Sequence, residues 1–176
     1  MGCLEGFRLP HPKKFIQKVI IIKGYSLNMG VINIVKNAKE IHPEFVLIIR
    51  IGKFYYTYGK DSYIISYLCN YKLGKFQEIS RCGFSLESLN RVIAKLEQNK
   101  INYMILDRKH NYDVETKEDN KNLNNYNKIF QKAKKVINLK IRIENINVYL
   151  LNNINNKDIN NIIRKMEEII NEGRKI

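Results

Sequence analysis

The stretch FVLIIRIGKFYYTYGKD, Phe45 to Asp61, constrains the fold of this chain more than any other. Phe45 to Ile51 is an almost unbroken apolar run, the signature of a strand buried on both faces inside a sheet. A turn at Gly52-Lys53 follows, and Phe54 to Tyr58 reads as a second strand rich in aromatics, with Lys53 and Lys60 on either side. Gly59-Lys60-Asp61 then breaks the strand pattern, with Asp61 or Ser62 as N-cap of a helix over Tyr63 to Asn70. A chain with this middle must build a layered structure in which helices cover the central strand.

The flanking segments supply those layers. Val31, Ile34, Val35 and Ala38 predict a short amphipathic helix ended by His42-Pro43. Glu78 to Phe84 reads as a strand. Ser85 caps a helix from Leu86 to Asn99 with one stripe of Leu86, Leu89, Val92, Ile93 and Leu96, and Asn102 to Asp107 reads as a further strand. From Asn111 to Asn127 the polar composition predicts a surface loop that passes into a helix near Leu123. Beyond it, Leu139, Ile143, Ile146, Leu150 and Ile154, then Ile159, Ile162, Ile163, Met166, Ile169 and Ile170, recur at spacings of three and four. LLNNINNKD between them is a turn, so the end of the chain is a helical hairpin. Its seam packs on its own domain or joins a second copy or a partner helix. The expected class is mixed α/β (α+β): a small mixed sheet with flanking helices, then a C-terminal helical hairpin. Residues 1–28 read as a basic arm, disordered or preceding the true start at Met29; 29–118 form the α/β domain and 119–176 the helical extension.

Charge points to a polyanionic partner. The net charge is +14, and clustered Lys/Arg raise the local potential. Abundant Lys, Ile and Asn are also what an AT-rich coding sequence yields, so the location of the charge says more than its sum. Residues 1–60 hold 10 Lys/Arg against 3 Asp/Glu, 61–120 hold 9 against 9, and 121–176 hold 12 against 5. A basic face would therefore draw on both ends of the chain. Cys3, Cys69 and Cys82 lack CxxC spacing, which indicates neither a disulfide framework nor a zinc site and fits a reducing cytoplasm. The apolar run Val19 to Ile22 is far shorter than the ~20 residues of a membrane span, so no membrane association is expected.

Catalytic signals are sparse. No GxSxG elbow, GxxxxGK[ST] loop or GxGxxG loop occurs, and no cofactor or resident metal is expected. One arrangement suits a Mg²⁺-dependent nuclease: Asp107 and Lys109 at a strand end, with Asp61 or Glu78 as the second carboxylate. In the aromatic strand, Phe54, Tyr56 and Tyr58 share one face and Tyr55 and Thr57 the other. Core packing accounts for one face. An exposed ring at the strand end would stack on or wedge between bases, with Arg50, Lys53 and Lys60 on phosphates.

The stretches IIRIGKFYYTYGKDS (Ile48 to Ser62) and CGFSLESLNRVIAKLEQNKINYMILDR (Cys82 to Arg108) resemble the N-terminal mismatch-recognition domain of the MutS family of DNA mismatch repair proteins. The resemblance covers about Glu44 to His110. It implies duplex DNA, mismatched or distorted, as partner. It also implies that Phe54 is the wedge of the family's Gly-x-Phe-Tyr-Glu motif. The family's Glu, which hydrogen-bonds the mispaired base, corresponds to Tyr56, so the resemblance implies DNA contact without specific mismatch reading. Ser85 and Glu87 replace a usual Pro and His. The family's connector, clamp and ATPase domains need far more than 176 residues, so the expectation is a non-enzymatic, stand-alone recognition domain. The other reading keeps the fold as a protein-interaction or dimerisation module.

Overall fold

The computed structural model describes residues 30–119 and 125–174. The basic arm expected over 1–28 and the helix start expected near Leu123 lie outside the described residues. Helix α1 (Val31–Ile41) precedes β1 (Val46–Ile51) and β2 (Phe54–Tyr58), then α2 (Lys60–Cys69), β3 (Leu73–Phe76) and β4 (Ile79–Ser85). A 3₁₀ turn at Leu86–Ser88 leads into α3 (Leu89–Gln98) and β5 (Tyr103–Asp107), and a second 3₁₀ turn at Arg108–His110 leads to β6 (Asp113–Glu118). Two long helices, α4 (Tyr126–Asn152) and α5 (Ile159–Gly173), complete the described chain.

The six strands form one mixed sheet in the order β3-β4-β2-β1-β5-β6, antiparallel except for the parallel pair β1 and β5. β1 lies at its centre, and Val46 to Ile49 are all buried, as the unbroken apolar run requires. Gly52 and Lys53 join β1 to β2 with Ile51 opposite Phe54. Gly52 sits at φ +62°, the left-handed conformation that a two-residue hairpin loop places on glycine.

One face of the sheet packs Val46, Ile48, Tyr55, Cys82, Phe84, Tyr103 and Ile105 against α2, α3 and the first half of α4. The opposite face packs Leu47, Ile49, Met104 and Leu106 against Ile34 and Ala38 of α1. One short helix cannot span six strands at ~4.8 Å spacing. The β2, β4 and β3 side of that second face is correspondingly more open, and Tyr56, Phe76 and Ile79 there are half-buried.

Several sequence expectations are corrected. The loop expected from Asn111 contains β6, paired with β5 at the sheet edge and exposed at every position. Charged edge strands of this kind carry no burial pattern. Helix α2 begins at Lys60 rather than Tyr63, its N-cap is Gly59, and Asp61 is not a cap but a fully buried side chain in the first turn. The Leu86 to Asn99 helix is a 3₁₀ turn followed by α3. In α4 the stripe packed on the domain is Tyr126, Phe130, Ala133 and Ile137, ahead of the expected seam, while Leu139, Ile143 and Ile146 are exposed.

Asp61 is the polar centre that ties these layers together. Its carboxylate accepts from Lys39 Nζ at 2.8 Å, from the Tyr126 hydroxyl at 2.5 Å and from the Leu47 N–H at 3.0 Å. Lys39 also donates to the carbonyls of Pro43 and Phe45 and lies 4.4 Å from the Tyr126 ring centroid. Burial pushes the Asp61 carboxyl up, and the Lys39 charge with the three hydrogen bonds opposes that push. Burial and the adjacent carboxylate raise the Tyr126 phenol, which therefore remains a donor. One carboxylate thus joins α1, β1, α2 and α4.

Candidate nucleic-acid interface

The sequence-derived site residues divide between two ends of the sheet. At the hairpin end, Phe54 is 49% exposed although the next residue, Tyr55, is buried. The alternation of a strand explains the contrast: Tyr55 points into the helix-covered core and stacks on Phe84 at 5.6 Å, while Phe54 opens the other, uncovered row. Lys53 beside it is exposed and makes no ion pair or side-chain hydrogen bond among the described residues. Tyr56, two residues on, is half-buried. Its ring lies 6.3 Å from that of Phe54, and it rests against β4 at Gly83, where a Cβ would come within 2.8 Å of the Tyr56 ring.

Arg50 stands on the neighbouring strand but is already engaged. Its guanidinium is 3.7 Å from Glu115 and 4.0 Å from Asp107. Lys60 is not brought to this end at all. The length of β2 separates it from Phe54, and its ammonium lies 5.5 Å from the Phe130 ring on the helix-covered side. The structure therefore places Lys53, Phe54 and Tyr56 together, leaves Arg50 beside them in an ion-paired cluster, and puts Lys60 elsewhere.

Sequence reasoning weighed the turn after β5 only as the end of a nuclease site, through Asp107 and Lys109, and not as a place of phosphate contact. Arg108, Lys109 and His110 are all exposed there, two strands from β2 and at the same end of the sheet, since Asp107 pairs with Arg50 and Ile51 with Phe54. Asp107 fixes the turn: its carboxylate accepts from the Lys109 N–H at 2.8 Å and contacts His110 Nδ1 at 2.7 Å. Burial alone would raise the Asp107 carboxyl, but the Lys109 N–H, the His110 ring and Arg50 outweigh it and hold that carboxyl below the usual range. The signal was present as the consecutive basic triplet Arg108-Lys109-His110 just past a buried strand.

The nuclease arrangement does not assemble. Asp61, one of its two candidates for a second carboxylate, is committed to Lys39, Tyr126 and Leu47. Glu78, the other, sits exposed between β3 and β4, two strands beyond β1 on the side away from β5. Among the described residues no group of three or more His, Cys, Asp or Glu side chains is arranged to hold a metal ion. No described helix is long and apolar enough to cross a membrane.

The mixed α/β sheet thus carries α2, α3 and α4 on one face and α1 on part of the other, and it presents one exposed ring and a set of cations at its hairpin end. The family model for MutS domain I matches residues 29–142, more than half of the chain, and the chain belongs to that family. The match is wider than the two motifs. It takes in α1 and most of α4, the elements that the Asp61 carboxylate ties to the sheet. No curated protein matches the chain as a relative.

Proposed function

We propose that this protein binds duplex DNA at the hairpin end of its sheet. Phe54 enters or stacks at a weakly stacked base step, and Lys53, Arg108 and Lys109 contact phosphates on either side. The observation that carries this reading is the exposure of Phe54 at the loop end of a strand whose other large side chains are buried or half-buried. A ring held out in water beside an unpaired lysine loses nothing by packing on a base, and such stacking contributes about 1–3 kcal/mol. Membership of the MutS domain I family supports it, because that domain is a DNA-binding domain and not a catalytic one.

Tyr56 provides a ring and a hydroxyl where a mismatch reader carries a carboxylate. Without that carboxylate to hydrogen-bond a mispaired base, the reading includes DNA binding with little preference for a mismatch. The test is a salt titration of duplex binding by the wild type and by Phe54→Ala. A wild type without salt-dependent binding, or a Phe54→Ala protein that binds equally well, removes the proposal.

A second reading concerns the far hairpin, and a specific observation favours it. Among the described residues, eleven of the fourteen exposed large hydrophobic side chains lie between Leu139 and Ile170. Residues 138–173 carry five Lys/Arg and five Asp/Glu, so this surface suits neither a polyanion nor a charged partner. A second copy of the same neutral, apolar hairpin fits it, giving a four-helix arrangement. Sedimentation over a concentration series reads this directly. A dimer that Ile143→Glu dissociates supports it, and a wild type that stays monomeric at all concentrations ends it.

A further inference from the structure

The side of the second sheet face away from α1 carries a row of planar groups. The Phe54 and Tyr56 rings are 6.3 Å apart, the Arg81 guanidinium lies 5.1 Å from the Tyr56 centroid, and the same guanidinium lies 5.3 Å from the Phe76 centroid. The row crosses β2, β4 and β3 and ends near the sheet edge. Its floor is flat because β4 places Gly83 under Tyr56, where any side chain would collide with the ring. Arg81 is the cation of the row, set between the Tyr56 and Phe76 rings.

We infer that this row is a platform for an unpaired nucleic-acid strand. Two chemical features select that occupant. Rings and a guanidinium plane along one row stack on bases of any sequence, and the Arg81 charge balances phosphate on a strand crossing the sheet. A duplex cannot use the row, because its bases present edges rather than faces. Acidic groups are scarce along it: Glu78, in the turn between β3 and β4, is at the margin. Only Phe54 is shared with the duplex contact proposed above, so the inference rests on that reading at one end of the row alone. Arg81 and Phe76 belong to the platform and not to the hairpin turn.

The experiment measures binding of labelled oligothymidylate, oligouridylate and a blunt duplex by fluorescence anisotropy at fixed salt. Wild type is expected to bind both single strands, and Arg81→Ala and Phe76→Leu are expected to weaken single-strand binding about tenfold. Duplex affinity should change by less than about twofold in both variants. Arg81→Lys keeps the charge and removes the plane; it should weaken single-strand binding nearly as much, and its fold is checked by circular dichroism. Wild-type protein that ignores both single strands overturns the platform, as does an Arg81→Lys protein that binds them normally. Failure of the duplex proposal reads out separately, as loss of duplex binding in the wild type or its persistence in Phe54→Ala. Preference for one of the two single strands identifies which nucleic acid the row serves.

Discussion

The two ends of β2 use similar residues to opposite ends. At Phe54 the strand begins with an exposed ring and a lysine without a partner; at Tyr58 it finishes with a buried ring and runs on to Asp61, whose charge is met on every side. The difference lies in what covers them. α1, α2 and α4 converge on the Asp61 end, and a carboxylate taken out of water there is tolerable only with full hydrogen bonding and a nearby cation. Nothing described converges on the hairpin end. An aromatic ring and basic side chains left in water are costly to neither fold nor solubility, and they remain available for a ligand. The packed end and the end proposed for recognition are thus separated along the five residues of one strand.

Substitutions can break that separation. The largest effect is expected at the closed end, where Tyr58→Ala removes a ring from the α1-side core and should cost about 3–5 kcal/mol in urea unfolding. Asp61→Ala should cost about 3 kcal/mol, because Lys39 and the Leu47 N–H lose their acceptor; Tyr126→Phe, which deletes one donor, should cost about 1 kcal/mol. If Asp61→Ala unfolds like the wild type, the closed end is not the anchor described. Phe54→Ala should alter stability by less than about 0.5 kcal/mol; a loss as large as that at Tyr58 would mean that the open end is also core.

The smallest effect concerns pH. The Asp107 carboxyl is held below its ordinary value, so it stabilises the folded state above the unfolded value of about 3.9 and loses that contribution as pH falls through the lower folded value. Acid titrations of wild type and Asp107→Asn should therefore converge at low pH and separate at neutral pH. Curves that stay apart at the acid end would show that Asp107 acts by packing alone.

The central strands were legible because burial on both faces leaves an unbroken apolar run, and α3 because its stripe has helical spacing. β6 was not, since a fully exposed edge strand has no such pattern; DVETKE sets a single apolar residue, Val114, among charged and polar ones. Lys53, Phe54 and Tyr56 could be placed together from strand geometry and the family motif, whereas the separation of Lys60 depended on where α2 packs. Asp61 looked like a helix cap because its real partners, Lys39 and Tyr126, are 22 and 65 residues away. Arg81 stood in the sequence as one more basic residue; only strand pairing puts it between Tyr56 and Phe76. The helical hairpin was readable from spacing, but spacing could not say that its apolar stripe runs beyond the domain it starts on.

The Asp61 contact also sets a schedule. A ribosome adds about 5–20 residues per second, so the 65 residues between Asp61 and Tyr126 take on the order of 3–13 s to make. Strands β3 to β6 are made within that interval, and until its end the buried carboxylate lacks its phenol donor and its covering helix. Completion of this domain waits on a residue that lies beyond the last strand, and a nascent chain stalled before Tyr126 would leave uncovered the surface that α4 packs on, chiefly along α2.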